Sequence, residues 1–474
     1  MESEFLKPAE AFVKFLRTSC SCFHVVKNCC EELSSNGFQR LSEKTNWGSI
    51  IKPLGKYYLT RNESAVIAFE VGGKYKQGNG FSVVAAHTDS PYLKIKPVSK
   101  IESNGYCQIG VETYGGGLWE TWLDRDLGLA GRVLYEDNGV IRSKLVNIDE
   151  SIGIIPSLAI HLREGDAKRG VTINKETMLP PITRLTTPKS SEKTDDSSDS
   201  SAPSESPEVL QRHDADLVQF ICEHIALPPS SLLDFELFCY DLNEARIAGL
   251  HKEFISGRGL DNMACAFAAL EGFLSASNLS EEQNIRCMVL FDNEEVGSDS
   301  LMGAGSTLLG DVMRTISGSC EEDRVSRRRS MILSCDMAHA VHPSFASVHE
   351  ANHKPALNKG MVIKTHCKQR YATSSLSTSV IQMICKQKQV PFQQFVLRQD
   401  KIGGSTIGPI MSTREGIYTV DVGLPQLSMH SIRETMGTKD VKYGIDFVRE
   451  FMENYGKMVD NIQLDCLLVC LNPF

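Results

Sequence analysis

At 474 residues the chain exceeds what one hydrophobic core organises, so two domains, or one large domain with a substantial insertion, are expected. Its 41% apolar and 23% charged residues exclude a fibrous or wholly disordered protein. A formal charge of −9 excludes general affinity for nucleic acid or an anionic membrane, both of which attract an excess of Lys and Arg.

The opening MESEFLKPAEAF is acidic and polar where a secretory signal needs a basic flank and an apolar run. No later stretch reaches the ~20 apolar residues of a membrane span, so a cytoplasmic protein is expected. Ala9 to Leu33 repeats apolar residues at helical spacing and reads as one or two amphipathic helices. Fifteen cysteines scattered through apolar segments fit a reducing compartment. Cys20/Cys22 and Cys29/Cys30 lack the spacing of a structural zinc site and read as free, surface or semi-buried thiols.

Short β-branched runs follow at Ala65–Glu70 and Phe81–Ala86. The second stops at His87-Thr88-Asp89-Ser90-Pro91, which places His87 and Asp89 at the carboxyl end of a buried strand. From Leu93 to about Leu250 strands alternate with glycine turns, the texture of an inserted β-rich domain. Within it, Thr186 to Pro207 is almost wholly Ser, Thr, Asp, Glu, Lys and Pro, and reads as a flexible surface loop over 186–207. A helix is predicted over Asp261–Leu274. The strands Ile285–Phe291, Met331–Ser334 and Ile417–Val422 then lead to Glu294-Glu295, Asp336 and His430. Arg324, Arg327, Arg328 and Arg329 are offset by Glu321, Glu322 and Asp323 and read as a solvated loop. The expected fold is α/β: a mixed sheet flanked by helices over 1–92 and 251–474, interrupted by the insertion at 93–250.

Polar residues gathered at strand ends are how open α/β sheets build sites. His87, Asp261, Glu295, Asp336 and His430 make a ligand set for two divalent metals, in which one carboxylate must bridge. Imidazole and carboxylate without thiolate suit zinc, with manganese or cobalt as substitutes. Asp89 is in reach of His87 to fix its tautomer, and Glu294 is left as the general base that takes a proton from the attacking water.

The stretches AAHTDSP, YGGGLWETWLDRDLGLAGRV, GRGLDNM, LFDNEEVGS, SCDMAHAVHP, KGMVIK, KQRYA, TIGPIMS and PQLSMHSIRE, in this order across nearly the whole chain, resemble the aspartyl aminopeptidases, a family of two-zinc exopeptidases. The resemblance implies a zinc-exopeptidase fold and removal of N-terminal Asp or Glu from peptides. It makes Asp261 the bridging ligand, His87 and Asp336 the partners of one zinc, and Glu295 and His430 those of the other. It also implies a cis Asp261–Asn262 bond and homododecamers built from dimers through the inserted domain. His161 would then be lent to a neighbour's active site to stabilise the substrate carbonyl. Lys364 would pair the acidic side chain of the substrate, with His339 and Tyr371 beside it. Two other readings fit the ligand set: a related two-zinc amidohydrolase, and a self-assembling cargo or scaffold protein. The neighbourhood of KGMVIK, KQRYA and YGGGLW speaks against the first. Against the second, the chain starts so near its first matching helix that little room is left for a targeting propeptide.

Overall fold

The computed structural model describes residues 2–164, 170, 172–186 and 208–462. They form two compact units, one running up to Ser90 and again from Ala245, the other Pro91–Glu244. All of the Ser-rich loop beyond Thr186 lies outside the described residues. No helix among them is long and apolar enough to cross a membrane.

The first unit is built on a nine-stranded mixed sheet. At its centre Ile285–Phe291, Phe81–His87, Met331–Cys335 and Tyr418–Gly423 run parallel, in that order. Outside them, Ala65–Val71 pairs antiparallel with Ile285–Phe291, and Met361–Thr365 antiparallel with Tyr418–Gly423. Three of these four strands are buried along their whole length, and Tyr418–Gly423 is buried except at Tyr418, because successive side chains enter two different cores. Phe81, Val83 and Ala85 face the helices Leu308–Ser317 and Ile407–Glu415. Val84 and Ala86 face the two N-terminal helices, Leu260–Leu274 and Thr438–Met458.

The predicted Ala9–Leu33 helical segment is two helices, Ser3–Thr18 and Cys22–Ser35. Ala-rich Leu260–Leu274 is buried on nearly every side, and its small residues permit close packing. A Cβ on Gly272 would come within 2.5 Å of Val448 Cβ on the neighbouring helix. A second sheet of five strands includes Ala338–His339, Pro425–Leu427 and Glu434–Gly437.

Two expectations are corrected. The Arg-rich stretch is a helix, Cys320–Arg328, because Ser319 and Glu322 form a reciprocal capping box at its start. Arg327 on it is half-buried, ion-paired with Asp323 and Glu415. The early thiols are free, but Cys20, in the link between the two helices, and Cys22 and Cys29, on the second, are buried, and of the four only Cys30 is partly exposed.

The second unit is a closed antiparallel barrel of six strands, in the order Leu232–Asp241, Tyr92–Ser103, Tyr106–Tyr114, Ile182–Leu185, Val140–Ile154 and Asp126–Asp137. Alternation fills its interior with Leu93, Ile95, Val111, Leu129, Val133, Val146 and Leu237, and closure leaves no open sheet edge.

Candidate active site and metal centre

The parallel register sets His87 opposite Phe291 and Cys335 opposite Val422, so His87, the Glu294-Glu295 turn and Asp336 emerge at the carboxyl ends of adjacent strands. Asp261 joins them from the first turn of its helix, where it and Asn262 depart from helical geometry across a cis peptide bond, as the resemblance implies. His430 comes from the loop between Pro425–Leu427 and Glu434–Gly437.

Two groups result, His87 with Asp261 and Asp336, and Asp261 with Glu295 and His430, each with ligand atoms within 4.8 Å of one another. Asp261 belongs to both through different oxygens. Its Oδ1 lies 3.6 Å from His87 Nε2, and its Oδ2 lies 3.4 Å from His430 Nε2. Asp336 Oδ1 is 3.9 Å from His87 Nε2, and Glu295 Oε2 is 3.4 Å from His430 Nε2. Glu294 faces the first group, Oε2 at 3.9 Å from His87 Nε2.

Asp89 acts on both sides of this cluster. Its backbone oxygen lies 3.1 Å and its Oδ1 3.3 Å from His87 Nδ1. Its carboxylate also accepts the backbone N–H groups of Glu294 at 3.2 Å and Glu295 at 3.0 Å, fixing the turn that carries them.

The electrostatics are those of a site that attracts positive charge. Burial pushes the Glu294 carboxyl up to about 8, reinforced by Asp336, Asp89 and Asp261. Burial and then Asp261 also raise Glu295 well above the usual carboxylate range. Against the effect of burial, bonding to Asp261 lifts His430 to about 10, and Asp336 and Asp89 lift His87. Burial also opposes the charge on Asp336, but Lys364 and His87 hold it down to about 2. Asp261 Oδ1 and Glu295 Oε1 are buried with no hydrogen-bond donor among the described residues. Crowded carboxylates with inward acceptor oxygens and two flanking imidazoles fit divalent zinc.

These groups open on a cavity of about 550 Å³ whose wall also holds His339, Lys364 and Tyr371. Lys364 is 2% exposed, yet its ammonium is well held. It donates to the Asp336 carbonyl at 2.8 Å and the Met337 carbonyl at 3.2 Å, and sits 5.1 Å from the centre of the Tyr371 ring. Burial and the nearby Lys364 keep His339 below its usual pKa. His161 belongs to the barrel unit, exposed on the turn Ile160–Leu162 with exposed Leu158, Ile160 and Leu162 around it.

Sequence reasoning missed Glu434. Its Oε2 accepts the Asp261 N–H at 3.0 Å and its Oε1 the His430 N–H at 2.8 Å, so one buried carboxylate positions a residue of each group. Ser90, which donates to the Asp261 carbonyl at 2.6 Å, and Asn262, which donates to the Cys335 carbonyl at 2.8 Å, were also missed as positioning residues. All three lie inside the motifs that carry the resemblance, but only the fold shows what they touch.

A fold with paired metal-ligand groups over the ends of a mixed sheet defines a metal-dependent hydrolase. Residues 15–452 match the family model described as aminopeptidase I zinc metalloprotease (M18). An aspartyl aminopeptidase of Dictyostelium discoideum is 43% identical, over 96% of this chain and 98% of that protein. Among solved structures, a chain of the Ape4 and Nbr1 complex superposes with a TM-score of 0.90 at 40% identity, covering 97% of this chain and 87% of that one. The S. cerevisiae mApe1 dodecamer superposes at 0.81 and 31%, covering 96% and 98%. The chain belongs to the M18 family and is a zinc metalloaminopeptidase.

Proposed function

We propose that this aminopeptidase removes Asp and Glu from peptide N-termini, and that two zinc ions would be held by the groups His87, Asp261 and Asp336, and Asp261, Glu295 and His430. The observation that carries the specificity is a buried lysine ammonium, Lys364, on the wall of the cavity that holds both groups. Two of its three protons are bonded to backbone carbonyls, and the Asp336 carboxylate lies 3.7 Å from the same Nζ, so a substrate carboxylate would share the third with Asp336. The aspartyl aminopeptidase of Dictyostelium discoideum supports the same reading through its name.

Bound zinc would acidify the attacking water and polarise the scissile carbonyl. Glu294, facing the first group but outside both ligand sets, takes the proton of that water and returns it to the departing amine. Asp89 holds the Glu294-Glu295 turn and braces His87, and Glu434 holds Asp261 and His430 in register. His339 and Tyr371 shape the pocket around Lys364. The chain assembles as dimers that build a dodecamer, and His161 enters a neighbour's site to stabilise the carbonyl oxygen. The exposed apolar side chains around it suit a subunit contact, and a relative of 31% identity is described as a dodecamer.

The test is hydrolysis of Asp-, Glu- and Leu-initiated peptides and of N-acetyl-Asp peptides, with and without chelator, alongside native mass. The acidic free-amine substrates should be cleaved at least tenfold better than Leu ones, the blocked ones not at all, and chelator should abolish turnover. Cleavage of the blocked peptides would assign an amidohydrolase instead.

A further inference from the structure

Two separate loops contribute to the wall of the cavity that holds the metal-ligand groups. One follows the strand Met361–Thr365 and carries Tyr371, and the other leads into the helix Ile407–Glu415 and carries Gly404, Ser405 and Thr406. The loops are tied to each other, Arg370 donating to the Gly403 carbonyl at 3.0 Å and Ser405 to the Arg370 carbonyl at 3.0 Å. Tyr371 in turn lies against Lys364, its ring centre 5.1 Å from the ammonium.

Both loops are fastened to the central sheet by one buried side chain, Asp421, on the strand Tyr418–Gly423. Its Oδ2 accepts the Ala372 N–H at 2.6 Å, and its Oδ1 accepts the Thr406 hydroxyl at 2.7 Å. Its backbone N–H donates to the Thr373 hydroxyl at 2.9 Å. Both side-chain partners are donors, which an ionised carboxylate satisfies on both oxygens at once. Burial raises the Asp421 carboxyl, and the charge of Lys364 and then the Thr406 hydroxyl oppose that rise. Thr406 stands at the N-cap of its helix, where a threonine ordinarily accepts a backbone N–H. Its hydroxyl caps none of that helix's N–H groups and is given to Asp421 instead. Gly408 completes the arrangement, since a Cβ there would fall 2.2 Å from Asp421 Oδ2.

We infer that Asp421 is the positioning residue of the specificity pocket, holding Tyr371 and Thr406 where they meet the side chain of the residue being removed. It acts through those two residues and touches no substrate itself. It belongs to neither metal-ligand group, so its effect falls on recognition and not on the metals. One carboxylate that fixes both loops sets the wall before substrate arrives, and binding then does not have to order it. Releasing the wall weakens the hold on a side chain while the attack on the carbonyl proceeds as before. The inference rests on the proposed reading in which the removed side chain lies beside Lys364.

The test compares Asp-Ala-Ala with Gly-Ala-Ala in wild type, Asp421→Ala, Asp421→Asn and Gly408→Ala, with zinc content measured beside the kinetics. Asp421→Ala should raise KM for Asp-Ala-Ala about tenfold, the scale of one lost hydrogen bond to a charged group, with kcat within about threefold. Gly-Ala-Ala, which has no side chain for the wall to hold, should change less than about twofold in kcat/KM. Asp421→Asn keeps an acceptor for the Ala372 N–H and should lie between wild type and Asp421→Ala. Gly408→Ala pushes the carboxylate from a position outside the cavity wall and should shift KM in the same direction. Zinc content should equal wild type throughout. Equal loss on both peptides, or a lower kcat with lost zinc, would make Asp421 a support of the fold or of the metal groups and overturn the inference. An unchanged KM would overturn it as well. Should Asp421→Ala not fold, Asp421→Asn and Gly408→Ala decide by the same criteria. If the wild type removes Leu and not Asp, the acidic reading fails, and Leu-Ala-Ala against Gly-Ala-Ala decides the role of Asp421 independently.

Discussion

Asp261 offers one carboxylate oxygen to each histidine, and the two glutamates beside it differ in which histidine they face, so exchanging a single oxygen for an amide separates ligand from base. Glu294→Gln should keep the fold and both metals and lose nearly all turnover, whereas Glu295→Gln should lower metal content. Metal analysis beside kcat checks this, and equal metal content with equal activity in the two variants would contradict it. Glu434 invites a third substitution. Each of its oxygens accepts a backbone N–H, so Glu434→Gln must turn one N–H toward another donor. We expect zinc to be stripped by chelator at about tenfold lower concentration than from wild type. A stripping curve that overlays wild type would remove Glu434 from the positioning network.

The elements that carry the site impose their own constraints. Gly259 precedes Asp261 with φ +59°, and a Cβ there would lie 2.8 Å from Met263 Cε and 3.0 Å from the Ser90 hydroxyl that holds the Asp261 carbonyl. Gly259→Ala should therefore cost activity through a misplaced Asp261 as well as stability. Ser319→Ala, which opens the capping box of Cys320–Arg328, should cost ~1 kcal/mol in urea unfolding. Much of this architecture was legible in the sequence. Apolar runs that end in a polar cluster have few explanations other than buried strands feeding a site, which is how His87, Glu295 and Asp336 were found. The Cys320–Arg328 helix left a visible signal in Ser319-x-x-Glu322, obscured by the charge run behind it. Glu434 lies in a matching motif, but its role depends on which backbone N–H groups the loop and sheet bring to it, and no spacing rule encodes that.

At the scale of the whole molecule, two buried histidines couple stability to pH. His24, bonded to Ser21, and His213, bonded to Ser99, are each lowered from 6.5 to about 4, mainly by burial. A depressed pKa means the unfolded chain binds the proton more tightly, so their contribution is present above pH 6.5 and is lost as pH falls through 4. For His24 the loss is about 3 kcal/mol. Urea midpoints between pH 7 and 4.5 should fall less steeply in His24→Gln and His213→Gln than in wild type, and parallel slopes would contradict the assignment. Net charge bears on specificity as well. A chain of −9 disfavours acidic peptides at long range, so an acidic preference must come from a cation at short range. Lys364 fits that requirement, but it also holds the carbonyls of Asp336 and Met337, so its replacement slows every substrate and only a ratio isolates the recognition step. The measurement that tests the account most directly is the ratio of kcat/KM for Asp- and Leu-initiated peptides in wild type and Lys364→Met. A charged hydrogen bond of ~1.5–3 kcal/mol predicts that the ratio falls by roughly one to two decades, and an unchanged ratio would mean that another group reads the substrate's charge.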